Sequence, residues 1–382
     1  MPPEWAPQAA VWLSWPVEDP RHWGGAKREL MWAKFAEIAA GISRFEPVRI
    51  NAPGKDHAAI LSACNRAKAL LERVELYDHP HNDVWCRDHG PIFVKHRETG
   101  EVAVTDWDFN AWGGKFPPWD LDDAIPARIA AALSMRAFQG GMVLEGGAIE
   151  INGAGQLLTT EAVLLNSNRN ATLSRQAIEQ RLRDGLGISE VLWLRQGIEG
   201  DDTDGHIDDL ARFIDPQTLL ACVDHGEANK AVLAENLSRL RSFLGPNGRA
   251  FEVLEIPLPQ ACEVAGWRLP VLPASYVNFL IVNGGVLVPT FRQPKNDDRA
   301  IGMIRLAETG ITDAAMDSLV KLPALESINL YGTKVTDAGI SKLSALPNLK
   351  RLYFWQTAVT PEAVKALKEK LPSCEIVIGA GA

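Results

Sequence analysis

Residues 306–329 read LAETGITDAAMDSLVKLPALESIN, residues 330–353 read LYGTKVTDAGISKLSALPNLKRLY, and residues 354–377 read FWQTAVTPEAVKALKEKLPSCEIV. The three segments follow one another at a period of 24 residues. Each carries a Thr, then a β-branched residue and a second Thr, then a helical segment, a Leu-Pro pair (Leu322-Pro323, Leu346-Pro347, Leu371-Pro372) and a short apolar strand. A unit this small cannot bury its apolar face alone and must stack on its neighbour. The last part of the chain therefore reads as an array, distinct from what precedes it. Composition changes at the same place: of 12 tryptophans, only Trp355 lies beyond residue 300.

The period and the leucine spacing resemble a leucine-rich repeat. The division expected is a larger domain over residues 1–300 and a leucine-rich-repeat segment over 301–382, with its three repeats at 306–377. The whole chain has 382 residues, 46% hydrophobic and 23% charged, with a formal net charge of −9. That is globular material able to bury a sizeable core. The acidic balance argues against nucleic acid, whose phosphates need concentrated Lys and Arg. No apolar run has the length of a membrane span; the best, residues 276–291, is interrupted by Asn278, Asn283, two glycines and Pro289. Five scattered cysteines without a CxxC pair fit a reducing compartment. The start, MPPEWAPQAAVWLSWP, lacks the basic and apolar regions of a signal peptide. A soluble cytoplasmic protein is expected.

Before residue 300, short strands alternate with helical stretches, which predicts an α/β class. Strands are expected at 48–52, 91–95, 192–195 and 251–256. Helices are expected at 55–72 (apolar face Ile60, Ala63, Ala67, Leu70, Leu71), 174–186 and 227–244. Residues 276–282 and 286–290 predict a hairpin around Asn283-Gly284-Gly285.

Three clusters could carry chemistry. In Asp204-Gly205-His206-Ile207-Asp208-Asp209, His206 and Asp208 share a face of an extended backbone, a proton-transfer group beside a carboxylate for a cation. A calcium loop centred on Gly205 fails, because Gly200 and Ala211 would fall at ligand positions; a solvated acidic turn remains open. In the second cluster, Trp85 beside Asp88 suits a flat cation, with an aromatic face and a carboxylate to hold it. His79, His81 and Asp83 just before them resemble a metallohydrolase ligand row, which leaves a metal-dependent hydrolase as an alternative. In the third, Glu145-Gly146-Gly147 places a carboxylate at a strand end, followed by glycines that admit close approach. The nearby Asn152-Gly153-Ala154-Gly155 is only a turn, since Leu158 breaks the dinucleotide pattern.

Five ordered stretches, MPPEWAPQAAVWLSWP, NDVWCRDHGPIFV, VLEGGAIEINGAGQLLTT, DGHIDDLARFI and LPASYVNFLIVNGGVLVPTF, resemble the agmatine deiminase and bacterial peptidyl-arginine deiminase family over residues 1 to about 299. The resemblance implies a pseudo-fivefold guanidine-modifying α/β propeller. It implies cofactor-free, metal-free hydrolysis of a guanidinium ligand such as agmatine to a ureido product and ammonia, in putrescine synthesis. Carried over by position, Asp88 and Asp208 would bind guanidinium, His206 would be the acid and base, and Glu145 would hold that histidine or the ligand. Trp85 and Asn278 would line the pocket.

In the family a cysteine nucleophile lies in a final glycine-rich segment. Here the family pattern runs to Asp297-Asp298-Arg299-Ala300 and gives way to the repeats. The propeller is thus expected to be incomplete at its C-terminal side, and turnover to be absent or weak. Cys374 stands two residues after its Leu-Pro pair, as do Leu325 and Leu349, and reads as a packed apolar residue. Cys86, two residues before Asp88, reads as a small residue beside the site. A non-catalytic protein, binding guanidinium or a protein partner through the repeats, is the alternative of a different class.

Overall fold

A computed structural model of the chain describes residues 1–17, 27–224, 226–262, 271–304, 313, 316, 319–320, 327–330, 335–354 and 357–377. The chain divides into two compact units, Met1–Pro289 and Thr290–Ala382.

The first unit repeats one design. Sheet one is β1 (Val11–Ser14), β2 (Val48–Ala52) and β3 (Val74–Asp78), all parallel. Sheet two is β4 (Ile92–Lys95), β5 (Val102–Asp108) and β6 (Ala137–Val143). Sheet three is β7 (Glu150–Ile151), β8 (Gln156–Thr160) and β9 (Glu190–Leu194), and sheet four is β10 (Ala211–Phe213), β11 (Thr218–Val223) and β12 (Glu252–Pro257). In sheets two to four the first pair is antiparallel and the second parallel. A parallel pair needs a crossover, and helices supply it: Ile125–Ala132, Arg175–Leu186 and Glu227–Ser242. A hairpin, β13 (Leu280–Val282) and β14 (Gly285–Leu287), ends the unit. Its Val282 belongs to the core of sheet one, and Leu280 and Leu287 pack there. Asn283 bonds to Gln8 and Glu46.

Most expected elements are present, with shifted ends. The helix Arg175–Leu186 is capped by Ser174, whose hydroxyl accepts from Ala177 N–H, and closed by Gly187 in the left-handed region. The helix expected over 55–72 is shorter, His57–Arg66. Lys68 takes a φ of 64° and turns the chain, so Ala69 is buried while Leu70 and Leu71 are exposed. The hairpin strands are also shorter, because residues 276–279 leave the ladder to form the turn carrying Asn278; the loop itself is Asn283-Gly284, with Gly284 at a φ of 81°.

In the second unit, β15 (Ser327–Asn329), β16 (Arg351–Tyr353) and β17 (Glu375–Val377) form a parallel sheet with Ser327, Arg351 and Glu375 in register. The strands keep the 24-residue period, while the third Leu-Pro pair stands one residue late, after the longer helix Pro361–Lys370. Successive units are stapled identically. Asp313 accepts from the backbone and hydroxyl of Thr336 at 2.8 and 2.7 Å, and Asp337 from those of Thr360 at 2.7 and 2.9 Å. Leu346, Leu349, Leu352, Leu367 and Cys374 share one core. Among the described residues, no helix is long and apolar enough to cross a membrane.

Candidate functional site

Sheets two to four and the hairpin are each entered by a short turn, and these turns bear the polar side chains. Asp88 lies in the one-turn helix Cys86–His89 ahead of β4, Glu145 ahead of β7, His206 and Asp208 about the turn Ile207–Asp209 ahead of β10, and Asn278 ahead of β13. Repetition of the module thus sets residues far apart in sequence at corresponding strand ends.

They converge on Gly147. A Cβ there would lie 2.5 Å from His206 Nδ1, 2.7 Å from Asp88 Oδ1 and 2.9 Å from Asp208 Oδ2. His206 Nδ1 is 3.7 Å from Asp88 Oδ1 and 4.0 Å from Asp208 Oδ1. The Gly147 N–H donates to Asp88 Oδ1 at 3.0 Å, and the Trp112 indole N–H to Asp88 Oδ2 at 3.1 Å. The preceding glycine is equally constrained, since a Cβ on Gly146 would lie 2.0 Å from the Arg87 carbonyl oxygen. The two glycines make room for the protein's own groups, whereas the sequence suggested room for a ligand.

All four acid/base residues are buried. Glu145 is held through Oε1 by Arg169 Nε at 2.5 Å, and neither side chain is exposed. Arg169 also donates to Asp204 Oδ2 at 2.8 Å and to the Thr203 carbonyl at 2.9 Å, tying Glu145 to the loop that leads to His206. Glu145 Oε2, Asp208 Oδ1 and His206 Nε2 have no hydrogen-bond partner among the described residues. Buried polar atoms are ordinarily paired, and these three stand unpaired in one cluster.

A second charged layer adjoins the first. Arg212 pairs with Glu150 at 2.7 Å and with Glu4. Arg87 pairs with Glu4 at 3.4 Å and lies 3.8 Å from Asp208. Glu4 also accepts from Ile281 N–H at 2.9 Å. Burial opposes the Glu4 charge, but Arg212 and Arg87 hold its pKa down at about 2. Sheets two to four, the hairpin and residue 4 are joined by these bonds.

The site's protons follow from burial and charge. Burial raises the Asp88 pKa to about 6, against the pull of His206. Burial likewise raises Asp208, and raises Asp209 well above the usual carboxylate range. Burial would lower His206, but Asp88, then Asp208 and Glu145, outweigh it and raise its pKa. Burial thus works against charge on these carboxyls, while the acids about His206 favour its protonated form.

Other expected residues are placed differently. Trp85 is 46% exposed and meets Trp112 edge-on at 6.3 Å; the buried tryptophan bonded to Asp88 is Trp112. Asn278 donates to Asp209 Oδ1 at 3.0 Å, bracing the neighbour of Asp208. His79 bonds to Asn51 Oδ1, and both ring nitrogens of His81 meet the carbonyls of His79 and Trp15. Asp83 Oδ1 accepts from Val84 N–H. Among the described residues no group of three or more His, Cys, Asp or Glu could hold a metal ion. The half-buried Cys86 thiol lies against Asn51 at 3.8 Å, and burial pushes its pKa up to about 12. Cys374 is buried in the core of the second unit, and burial raises it too. Cys222, bonded to Ser275 and the Asp209 carbonyl, rises to about 12, and Cys64 to about 11.

Sequence reasoning missed Trp112 and Arg169. The Ala-Trp-Gly-Gly run at 111–114 signals a left-handed turn and could have drawn attention to Trp112. Arg169, in Asn-Arg-Asn, has no acid nearby in sequence, so its partner Glu145 is invisible without the fold.

A profile of the Porphyromonas-type peptidyl-arginine deiminase family matches residues 1–317, past the boundary expected near residue 300. The chain is 40% identical over 323 residues to the agmatine deiminase of Pseudomonas syringae pv. syringae, covering 78% of this chain and 84% of that protein. Among solved structures it resembles the agmatine deiminase of Enterococcus faecalis, at a TM-score of 0.71 and 33% identity over 80% of this chain and 86% of that one. It also resembles a Cys-to-Ser variant of the C. jejuni agmatine deiminase with substrate bound, at a TM-score of 0.69 and 32% identity over 78% and 84%.

Proposed function

Because the chain belongs to the Porphyromonas-type peptidyl-arginine deiminase family, we propose that it is an agmatine deiminase-like guanidine hydrolase whose buried acids hold the guanidinium group of a small cation. The observation that carries this reading is the convergence of His206, Asp88 and Asp208 about Gly147. Paired N–H groups of a planar guanidinium suit carboxylates on two sides. Asp88 and Asp208 would bind it, Glu145 would offer its second oxygen, and Trp85 would face the ligand's apolar stem. Asn278 braces Asp209 beside them.

Hydrolysis to a ureido group breaks one C–N bond and forms one C–O bond. His206 would protonate the departing ammonia and then take the proton of the attacking water. The family's covalent step needs a thiolate at the guanidinium carbon. None of the five cysteines is joined in a disulfide among the described residues, and in four of them burial raises the thiol pKa, which disfavours thiolate. Cys374 is enclosed in its own core. The reading is therefore of binding that outlasts catalysis, with turnover absent or weak. Calorimetry with agmatine, alongside an ammonia assay, tests both halves. Binding without ammonia is expected; no binding would overturn the site, and thiol-dependent ammonia release would overturn the loss of turnover.

The finer architecture belongs to the same proposal. The strand order shared by sheets two to four supports modules of a pseudo-fivefold propeller, incomplete after β14. The 24-residue register of β15, β16 and β17 supports a leucine-rich-repeat array and, with it, a protein partner. Cysteines without a disulfide among the described residues support a cytoplasmic setting.

A further inference from the structure

We infer that Trp112 is a positioning residue for Asp88: its indole N–H fixes the carboxylate plane, and with Trp85 it forms the aromatic corner against which the ligand's stem lies. Asp88 has two oxygens and two fixed donors. Gly147 N–H takes Oδ1 and Trp112 Nε1–H takes Oδ2. The plane of the carboxylate is thereby set, with Oδ1 turned towards His206. Hydrogen bonds to the ionised form favour it, in a site whose burial works against ionisation.

The backbone is bent to achieve this. Ala111, Trp112, Gly113 and Gly114 have φ values of 50°, 55°, 85° and 76°. Residues bearing a Cβ enter this region at a cost, and such strain collects where function requires it. The surroundings hold the bend in place. Asn110 Oδ1 accepts from Gly113 N–H at 2.8 Å, and Asn110 Nδ2 donates to the Asn168 carbonyl at 2.9 Å. Phe109 and Phe116 meet the Trp112 ring edge-on, each at 5.3 Å. Trp85 stands at 86° to it on the exposed side. One indole thus has its N–H on the acid, two phenyl rings edge-on against it and a second, half-exposed indole beside it.

The charged groups about Asp88 are His206, Asp208 and Asp209 from the turn ahead of β10 and Glu145 from the turn ahead of β7, with Arg87 on its own helix. Only the Trp112 contact can be removed without altering a charge. The inference rests on the guanidinium reading of the site, and the experiment separates the two. The indole 1H–15N resonance of Trp112, identified by its loss in Trp112→Phe, should titrate with a midpoint near 6 and cease to do so in Asp88→Asn. In Trp112→Phe, agmatine affinity should fall several-fold, and the pH below which it weakens should move up by about half a unit to one unit. A merely structural role would lower affinity evenly at all pH values. An indole signal indifferent to Asp88→Asn, or a pH profile unmoved in Trp112→Phe, overturns the inference. If the native protein takes up no agmatine, the guanidinium reading fails, and the indole titration still decides the role of Trp112.

Discussion

Gly147 passes so near His206 that a Cβ on it would lie 2.5 Å from the imidazole Nδ1. The residue is bare for lack of space, since the same Cβ would also strike Asp88 and Asp208. Gly147→Ala should displace all three groups. We expect at least a ten-fold loss of agmatine affinity and a stability cost of about 1–3 kcal/mol, measured by calorimetry and urea unfolding. Native affinity in this variant would show that the three groups do not act together.

Arg169 is the sole fixed cation against Glu145 among the described residues, with neither side chain exposed. Removing one partner of a buried pair strands the other. Arg169→Met should cost about 3–5 kcal/mol in urea unfolding, and Arg169→Lys distinctly less. Equal costs would mean that packing, not charge, is what Arg169 supplies.

The acid limb of binding should report Asp88. Its pKa is raised to about 6, so the carboxylate is charged above that pH and neutral below it. A guanidinium needs the charged form. Affinity for agmatine should be steady above pH 7 and weaken about ten-fold per unit well below 6. The sign for stability is opposite: a raised carboxyl pKa favours the folded state at acid pH, and that contribution is lost as pH rises through 6. Affinity that strengthens on acidification would contradict the assignment.

Neither Cys86 nor Cys374 should matter to binding. Cys86→Ala and Cys374→Ala should each leave agmatine affinity within about two-fold of native. Cys374→Ala should cost about 1 kcal/mol in the unfolding of the second unit, where the side chain is packed. Ammonia release present in the native protein and lost in either variant would identify a nucleophile and reverse the account of turnover.

The staples between repeats make a separate prediction. Asp337 accepts two bonds from Thr360, as Asp313 does from Thr336. Asp337→Ala should lower the stability of the second unit by about 1–2 kcal/mol. Amide exchange about residues 357–370 should quicken, with agmatine binding unchanged. A change confined to the first unit would argue against the stapled array.

Much of this was readable beforehand, for local reasons. The repeat period is a property of adjacent residues, and the strands kept it in register to the residue. Ser174 and Gly187 mark a helix from both ends. The site acids could be listed because each sits in a distinctive turn. What was not readable is what distant segments do to one another. Leu70 and Leu71 looked buried because the helical pattern continued, and the left-handed Lys68 broke it. Trp85 stands close to Asp88 in sequence, yet it is Trp112, from the next connection, whose indole N–H reaches that carboxylate. The ion pairs of Arg169 with Glu145 and of Arg212 with Glu4 and Glu150 join residues 24, 208 and 62 positions apart. No local pattern encodes such separations.

The most direct test of the guanidinium site is calorimetric titration of agmatine at pH 8 into the native protein and into Asp208→Asn. The account predicts saturable binding at one site in the native protein, with a Kd on the order of millimolar or tighter, and its loss in the variant. Equal heats in both proteins, or no heat from the native protein up to roughly ten millimolar ligand, would contradict it.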